Sequence, residues 1–248
     1  MYVSFSSSAN HSISNLRSNK GASTFSTDPN YRYTAAGYAA FMGAVVQQLG
    51  ITDCVFVGWS LGGHLMLESF QREEVFRQAA KAVVIHGTPP ITTVSDILAG
   101  FIWTDPAQQY FSQAVVTEPE ATVAVTAFFR PHIAEHPGPY APIIAEWTQQ
   151  FLATDGVARY IVNHNPFGDE VNTVESLLAQ SSTPIAIFHG REDRLINASY
   201  IEGLVPHIPT LWESSIHYVE SAGHAPFWER PGVYNELLDS FVDTVFDW

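Results

Sequence analysis

The chain has 248 residues, 46% of them hydrophobic and 15% charged, enough apolar mass for one α/β domain or a domain carrying an insertion. Its formal net charge of −14 excludes a nucleic-acid groove, which needs Lys and Arg to displace counterions, and disfavours adsorption to anionic membranes. The single cysteine, Cys54, excludes an intrachain disulfide framework and suits a reducing, cytoplasmic compartment; no run of about 18 apolar residues offers a membrane span.

At the front, MYVSF reads as a strand followed by a polar loop, with no apolar region of the secretory-signal type. Tyr38, Phe41, Met42, Val45, Val46 and Leu49 recur at helical spacing and predict an amphipathic helix over Ala35–Leu49, stopped by Gly50. Asp53–Val57 is a short apolar run suited to a strand buried on both faces of a parallel sheet. Leu61–Ala80 reads as one helix, with Leu65, Leu67, Phe70 and Phe76 directed to the core. Further strands are expected at Ala82–Ile85, Pro184–Phe188 and Ile216–Glu220, and a closing helix at about Val233–Phe246. Strands alternating with helices imply crossover units and a mostly parallel sheet. Between Ile91 and about Gln180 the pattern becomes helical and aromatic, with Phe101, Trp103, Phe111, Phe128, Phe129, Trp147 and Phe151. That is too long for a loop in a compact domain. It predicts a helical cap over 91–180, inserted in a core made of 1–90 and 181–248.

VFVGWSLGGH carries G-x-S-x-G at Gly58, Ser60 and Gly62. Composition alone yields that pattern in roughly one chain in ten, so its surroundings must decide. Here a buried strand precedes it and a helix follows, the setting of a nucleophile on a tight turn. Glycines at 58 and 62 let the backbone turn sharply, and the N–H of Leu61 is placed to hold a developing oxyanion. A serine needs a base, and the base needs an orienting acid. His224 follows the strand Ile216–Glu220 and Asp193 follows the strand Pro184–Phe188, so both fall on the sheet edge that carries Ser60. Glu192 is adjacent but would point differently. His64, His86 and His189 are expected to support or pack, Cys54 to be an inert strand residue, and Trp59 to wall the pocket. The H-E-x-x-H motif itself does not occur, and no metal is expected.

VGWSLGGH, HGREDRLIN and SAGHAPFWERP together resemble the three triad segments of the α/β-hydrolase superfamily, in its chain order Ser, Asp, His. The likeness runs from about Leu16 to the C-terminus and is closest to capped serine hydrolases of the esterase and C–C-hydrolase type. The resemblance implies Ser60 as nucleophile, His224 as general base and acid, Asp193 as orienting carboxylate, and no cofactor. Some members place the acid after the preceding strand, where Asp96 lies. The family's front strands and its His-Gly loop, source of a second oxyanion donor, have no counterpart before Ala35. NLRSNKGAST resembles only a worn version of the family's glycine turn, and SSSANHS is the remaining candidate for a second donor. The expected fold is therefore an α/β-hydrolase fold lacking its first strands. The expected function is hydrolysis of a small to medium acyl substrate, foremost a carboxylic ester. Alternatives are C–C, enol-lactone or thioester hydrolysis, or a weakly active relative that binds a small ligand. The expected partner is a small molecule, and a homo-oligomer is compatible with this reading.

Overall fold

The computed structural model describes residues 3–7, 13–14, 28–91, 93–164, 178–179 and 181–246. Among the described residues, six strands form one sheet: β1 (Val3–Ser7), β2 (Ile13–Ser14), β3 (Cys54–Trp59), β4 (Ala80–His86), β5 (Ile185–Gly190) and β6 (Leu211–Val219). Their order is β2-β1-β3-β4-β5-β6. The last four run parallel, while β1 lies antiparallel on β3 and β2 antiparallel on β1. The front strand expected in MYVSF is β1, and it takes the place beside β3.

Side chains alternate across this sheet with period two. Phe56, Val83, Ile85, Ile185 and Ile187 enter one core cluster, with Met42, Met66, Phe70 and Phe76 from helices. Val55, Val84, Ala186 and Phe188 enter a second cluster on the opposite face, with Tyr234 and Phe241. Both faces are covered, which is why β3, β4 and β5 read as continuous apolar runs. Phe56 and Phe76 stack at 3.8 Å. Burying each such ring contributes about 1.5–3 kcal/mol.

Helix Ala35–Leu49 forms as its spacing predicts. Thr34 caps it through Gly37 N–H, and Gly50 ends it in the left-handed region at φ 59°. The buried stripe, however, is Ala35, Tyr38, Ala39, Met42, Gly43 and Val46, while Leu49 is exposed. Small residues at 35, 39 and 43 let the helix approach closely: a Cβ at Gly43 would lie 2.8 Å from the Glu73 carboxylate.

The expected single helix over Leu61–Ala80 is two, Leu61–Arg72 and Glu74–Ala79, separated by Glu73 in extended conformation. Arg77 makes the break tolerable by donating to the carbonyls of Phe70 (3.0 Å) and Gln71 (2.6 Å) in the last turn of the first helix. β3 runs two residues beyond its expected end and delivers the chain directly to Ser60. β6 begins five residues earlier than expected; its polar start, WESS, includes Glu213 and Ser214 at positive φ and lies along an edge of the sheet.

Between β4 and β5, described residues 93–164 carry short helices joined by turns, with one bridge from Phe101 to Ile196. The helical segments are Val94–Gly100, Glu118–Thr126, Pro131–Glu135, Ala141–Leu152 and Gly156–His164, with 3-10 turns at Pro106–Ser112 and Gly138–Tyr140. The closing helix spans Pro231–Phe246. No described helix is long and apolar enough to cross a membrane.

Candidate active site

Ser60 joins the end of β3 to helix Leu61–Arg72, with φ 53° and ψ −129°. A non-glycine residue there costs on the order of 1–3 kcal/mol and persists only where the surroundings impose it. They do so from several sides. Ser60 N–H donates to the His86 carbonyl at 3.0 Å, and the Ser60 carbonyl accepts from Gly63 N–H at 2.9 Å and from the Thr88 hydroxyl at 2.8 Å. The turn is closed by a contact the motif spacing did not single out. A Cβ on Gly58 would come within 2.5 Å of the Gly63 Cα, and one on Gly63 within 2.1 Å of the Thr88 hydroxyl.

A serine at a helix start ordinarily spends its side chain as a cap. Ser60 makes no side-chain capping bond, and it lines a cavity of about 450 Å³. Leu61 is the first residue of the helix, so its N–H has no acceptor within the helix and stands at the positive end of the dipole.

Asp193 lies three residues past β5 and His224 five past β6. His224 Nδ1 donates to Asp193 Oδ2 at 2.7 Å, and both side chains are essentially inaccessible to solvent. The other carboxylate oxygen accepts from Leu195 N–H (2.9 Å) and Ile196 N–H (3.2 Å). Burial pushes the Asp193 carboxyl up, but the charge and hydrogen bond of His224, with His189 and the Leu195 amide, outweigh it and hold the acid below its ordinary range. With Nδ1 committed to the carboxylate, Nε2 is the ring nitrogen left for exchange with a substrate or serine. His224 lines the same cavity as Ser60.

Asp96, the rival acid, is occupied elsewhere: it closes a capping box with Thr93 at the start of helix Val94–Gly100. Glu192 is exposed. Trp59 lines the cavity and also donates its Nε1–H to the His224 carbonyl at 2.8 Å. Its ring meets Phe128 at 5.2 Å and Trp147 at 5.9 Å, so the strand, the inserted segment and the histidine loop share one aromatic contact. Phe128 stacks on the His224 ring at 5.7 Å.

His86 is fully buried among Trp59, Phe227 and Tyr234, and burial holds its pKa down at about 3. His189 is buried and shifted down for the same reason. His64 is buried and lines the cavity. Cys54 is buried in β3, its thiol pushed up to about 12 by burial, which leaves it an unreactive packing residue. Among the described residues no three His, Cys, Asp or Glu side chains converge as metal ligands. Among the described residues lining the cavity, Arg159 is the one with a permanent charge.

Sequence reasoning missed three contributors. Thr88 and Gly63 shape the elbow, and the doubled glycine of SLGG was the available signal for the latter. The third is Glu229, a buried carboxylate that accepts from the Gly223 amide beside His224. SSSANHS, the candidate segment for a second oxyanion donor, and the glycine turn around Asn15 fall largely or wholly outside the described residues.

A family model described as "Alpha/beta hydrolase family" matches residues 13–237. No curated protein matches the chain. Among solved structures, the chain is similar to N-acyl homoserine lactonase AidH complexed with N-butanoyl homoserine, at 28% identity and TM-score 0.79, over 93% of this chain and 77% of that one. It is also similar to a putative aryl esterase from Burkholderia cenocepacia (17% identity, TM-score 0.72, 93% and 78% covered). Esterase RhEst1 from Rhodococcus sp. ECU1013 is comparable (19%, 0.72, 94% and 80%). At those two identities the likeness is one of fold.

Proposed function

We propose that this chain, which belongs to the alpha/beta hydrolase family, is a serine hydrolase that cleaves a carboxylic ester of a small to medium acyl compound. Ser60 is the nucleophile, His224 the general base and acid, and Asp193 the carboxylate that fixes the imidazole tautomer. The observation that carries this reading is the buried 2.7 Å bond from His224 Nδ1 to Asp193, on the cavity that the uncapped Ser60 hydroxyl lines. Ser60 Oγ attacks the carbonyl carbon while His224 Nε2 takes its proton. The N–H of Leu61 holds the oxyanion. His224 then returns the proton to the leaving alcohol, and water, activated by the same nitrogen, releases the acid. Residues 91–180 act as a cap over a core of 1–90 and 181–248, and its aromatics with Trp59 supply the apolar walls. The single cysteine supports a cytoplasmic setting.

A lactone is a cyclic ester, and the likeness to a lactonase at 28% identity favours a second reading in which the substrate is a lactone. The chemistry is then the same, except that the leaving alcohol stays tethered and the product is one hydroxy acid. Initial rates on p-nitrophenyl butyrate and on an N-acyl homoserine lactone, for wild type and Ser60→Ala, test both. Turnover that falls at least 10³-fold in the folded variant is expected. A wild-type protein inactive on the whole panel would overturn the proposal. A kcat/KM for the lactone above that for the open ester favours the second reading.

A further inference from the structure

Glu229 has no role in the chemistry above, yet it is among the most thoroughly engaged side chains near it. Its carboxylate is fully shielded from solvent. One oxygen accepts from Gly223 N–H at 2.6 Å. The other accepts from Arg130 N–H at 3.2 Å, and the Arg130 guanidinium lies 3.5 Å away. Gly223 immediately precedes His224; Arg130 belongs to the segment between β4 and β5. On the other side of the histidine, Ala225 N–H donates to the Phe128 carbonyl at 2.9 Å. Residues 223–225 are thus held at one end by Glu229, which also accepts from Arg130, and at the other by the Phe128 carbonyl.

The approach is as close as backbones allow. A Cβ on Gly223 would lie 2.5 Å from the Arg130 nitrogen and 2.7 Å from the Phe129 carbonyl carbon. Phe128 also stacks on the imidazole. The Phe128–Arg130 turn and the His224 loop therefore form one packed unit, with Glu229 bonded to both.

A carboxylate is an expensive way to hold two amides. Burial pushes the Glu229 carboxyl above its ordinary range, against the pull of both N–H donors and of Arg130. An apolar side chain of the same size would avoid that cost. A polar group retained at such a point is suited to fixing geometry.

We infer that Glu229 is a positioning residue: it fixes the backbone of the His224 loop against the Phe128–Arg130 turn, so that the imidazole stays aligned for proton transfer and moves only when that turn moves. This rests on the reading of His224 as the general base.

The test compares Glu229→Gln, Glu229→Asp and Arg130→Ala with wild type, by steady-state kinetics on p-nitrophenyl butyrate and by the downfield proton resonance of His224 Nδ1–H. That resonance is assigned by its loss in Asp193→Asn. Glutamine keeps the shape but offers one acceptor for two donors. Aspartate keeps the charge but reaches only one donor. Both should lower kcat roughly 10- to 100-fold, the cost of a small misplacement of a catalytic group, with KM changed less than about threefold. Both should shift or broaden the Nδ1–H resonance while circular dichroism reports a native fold. Arg130→Ala leaves both backbone bonds intact and should keep kcat within about twofold. A lower melting temperature with unchanged kcat and unchanged resonance in both Glu229 variants would reduce Glu229 to a stability residue and overturn the inference. A wild type without Ser60-dependent turnover, whose resonance still moves in both Glu229 variants, would refute the hydrolase reading and leave the positioning role standing.

Discussion

Ser60 sits at φ 53° because its neighbours leave it no alternative, and the tightest of them are glycines. The separation that matters is Gly58 to Gly63, where the strand end and the first helical turn nearly touch. Gly58→Ala should therefore cost about 1–3 kcal/mol of stability, as overpacking does, and lower activity further by displacing the serine. Denaturant unfolding alongside kcat checks both. In the proposed mechanism Asp193 acts through the imidazole. Asp193→Asn keeps the side-chain shape but loses the charge that fixes the tautomer, so kcat should fall on the order of 10³–10⁴-fold with little change in KM. Ser60, Asp193 and His224 were legible because each lies just past a locally recognisable strand. Glu229 was not, since its partner Arg130 lies 99 residues away and only the folded chain brings them together.

Elements were legible where periodicity was strong and local. Helix Ala35–Leu49 carried its own cap signals, Thr34 and Gly50. Its buried stripe was misjudged because large side chains were counted and the small ones that permit close packing were not. The break at Glu73 and the early start of β6 were hidden for tertiary reasons. The first depends on Arg77 reaching back to two carbonyls, the second on Leu211 pairing with Ile185 across an irregularity that takes up the polar residues 212–215. One contact ties the front of the chain to the inserted helices: the buried Tyr33 hydroxyl donates to Asp155 at 2.6 Å, just ahead of helix Gly156–His164. Tyr33→Phe should lose about 1–2 kcal/mol, the worth of a hydrogen bond to a charged group near the surface. Differential scanning calorimetry of the pair of proteins measures it.

For the whole molecule, the acidic composition argues against polyanionic partners but says nothing of how stability responds to pH. That response follows from buried groups. His86 is held neutral down to about pH 3, whereas an unfolded histidine takes its proton near pH 6.5. A histidine with a depressed folded pKa favours the fold above the unfolded value, and that advantage is lost as pH falls below it. Stability should therefore decline between about pH 6.5 and pH 3, by up to about 1.4 kcal/mol per pH unit for this one site. His189 adds to the decline in the same direction. Asp193, held below its ordinary range, stabilises the fold above about pH 4, and its contribution disappears as pH falls through its depressed value. His86→Phe, placed among Trp59, Phe227 and Tyr234, should fold and flatten the pH dependence above pH 4, as urea unfolding at several pH values would read out.

The central claim is that Ser60 is a nucleophile activated by His224. Its most direct measurement is covalent labelling by a fluorophosphonate, located by peptide mass spectrometry. The account predicts one adduct per chain, on Ser60, absent in Ser60→Ala and strongly slowed in His224→Ala. No adduct on a folded wild-type protein that a control hydrolase accepts under the same conditions, or an adduct elsewhere than Ser60, would contradict it.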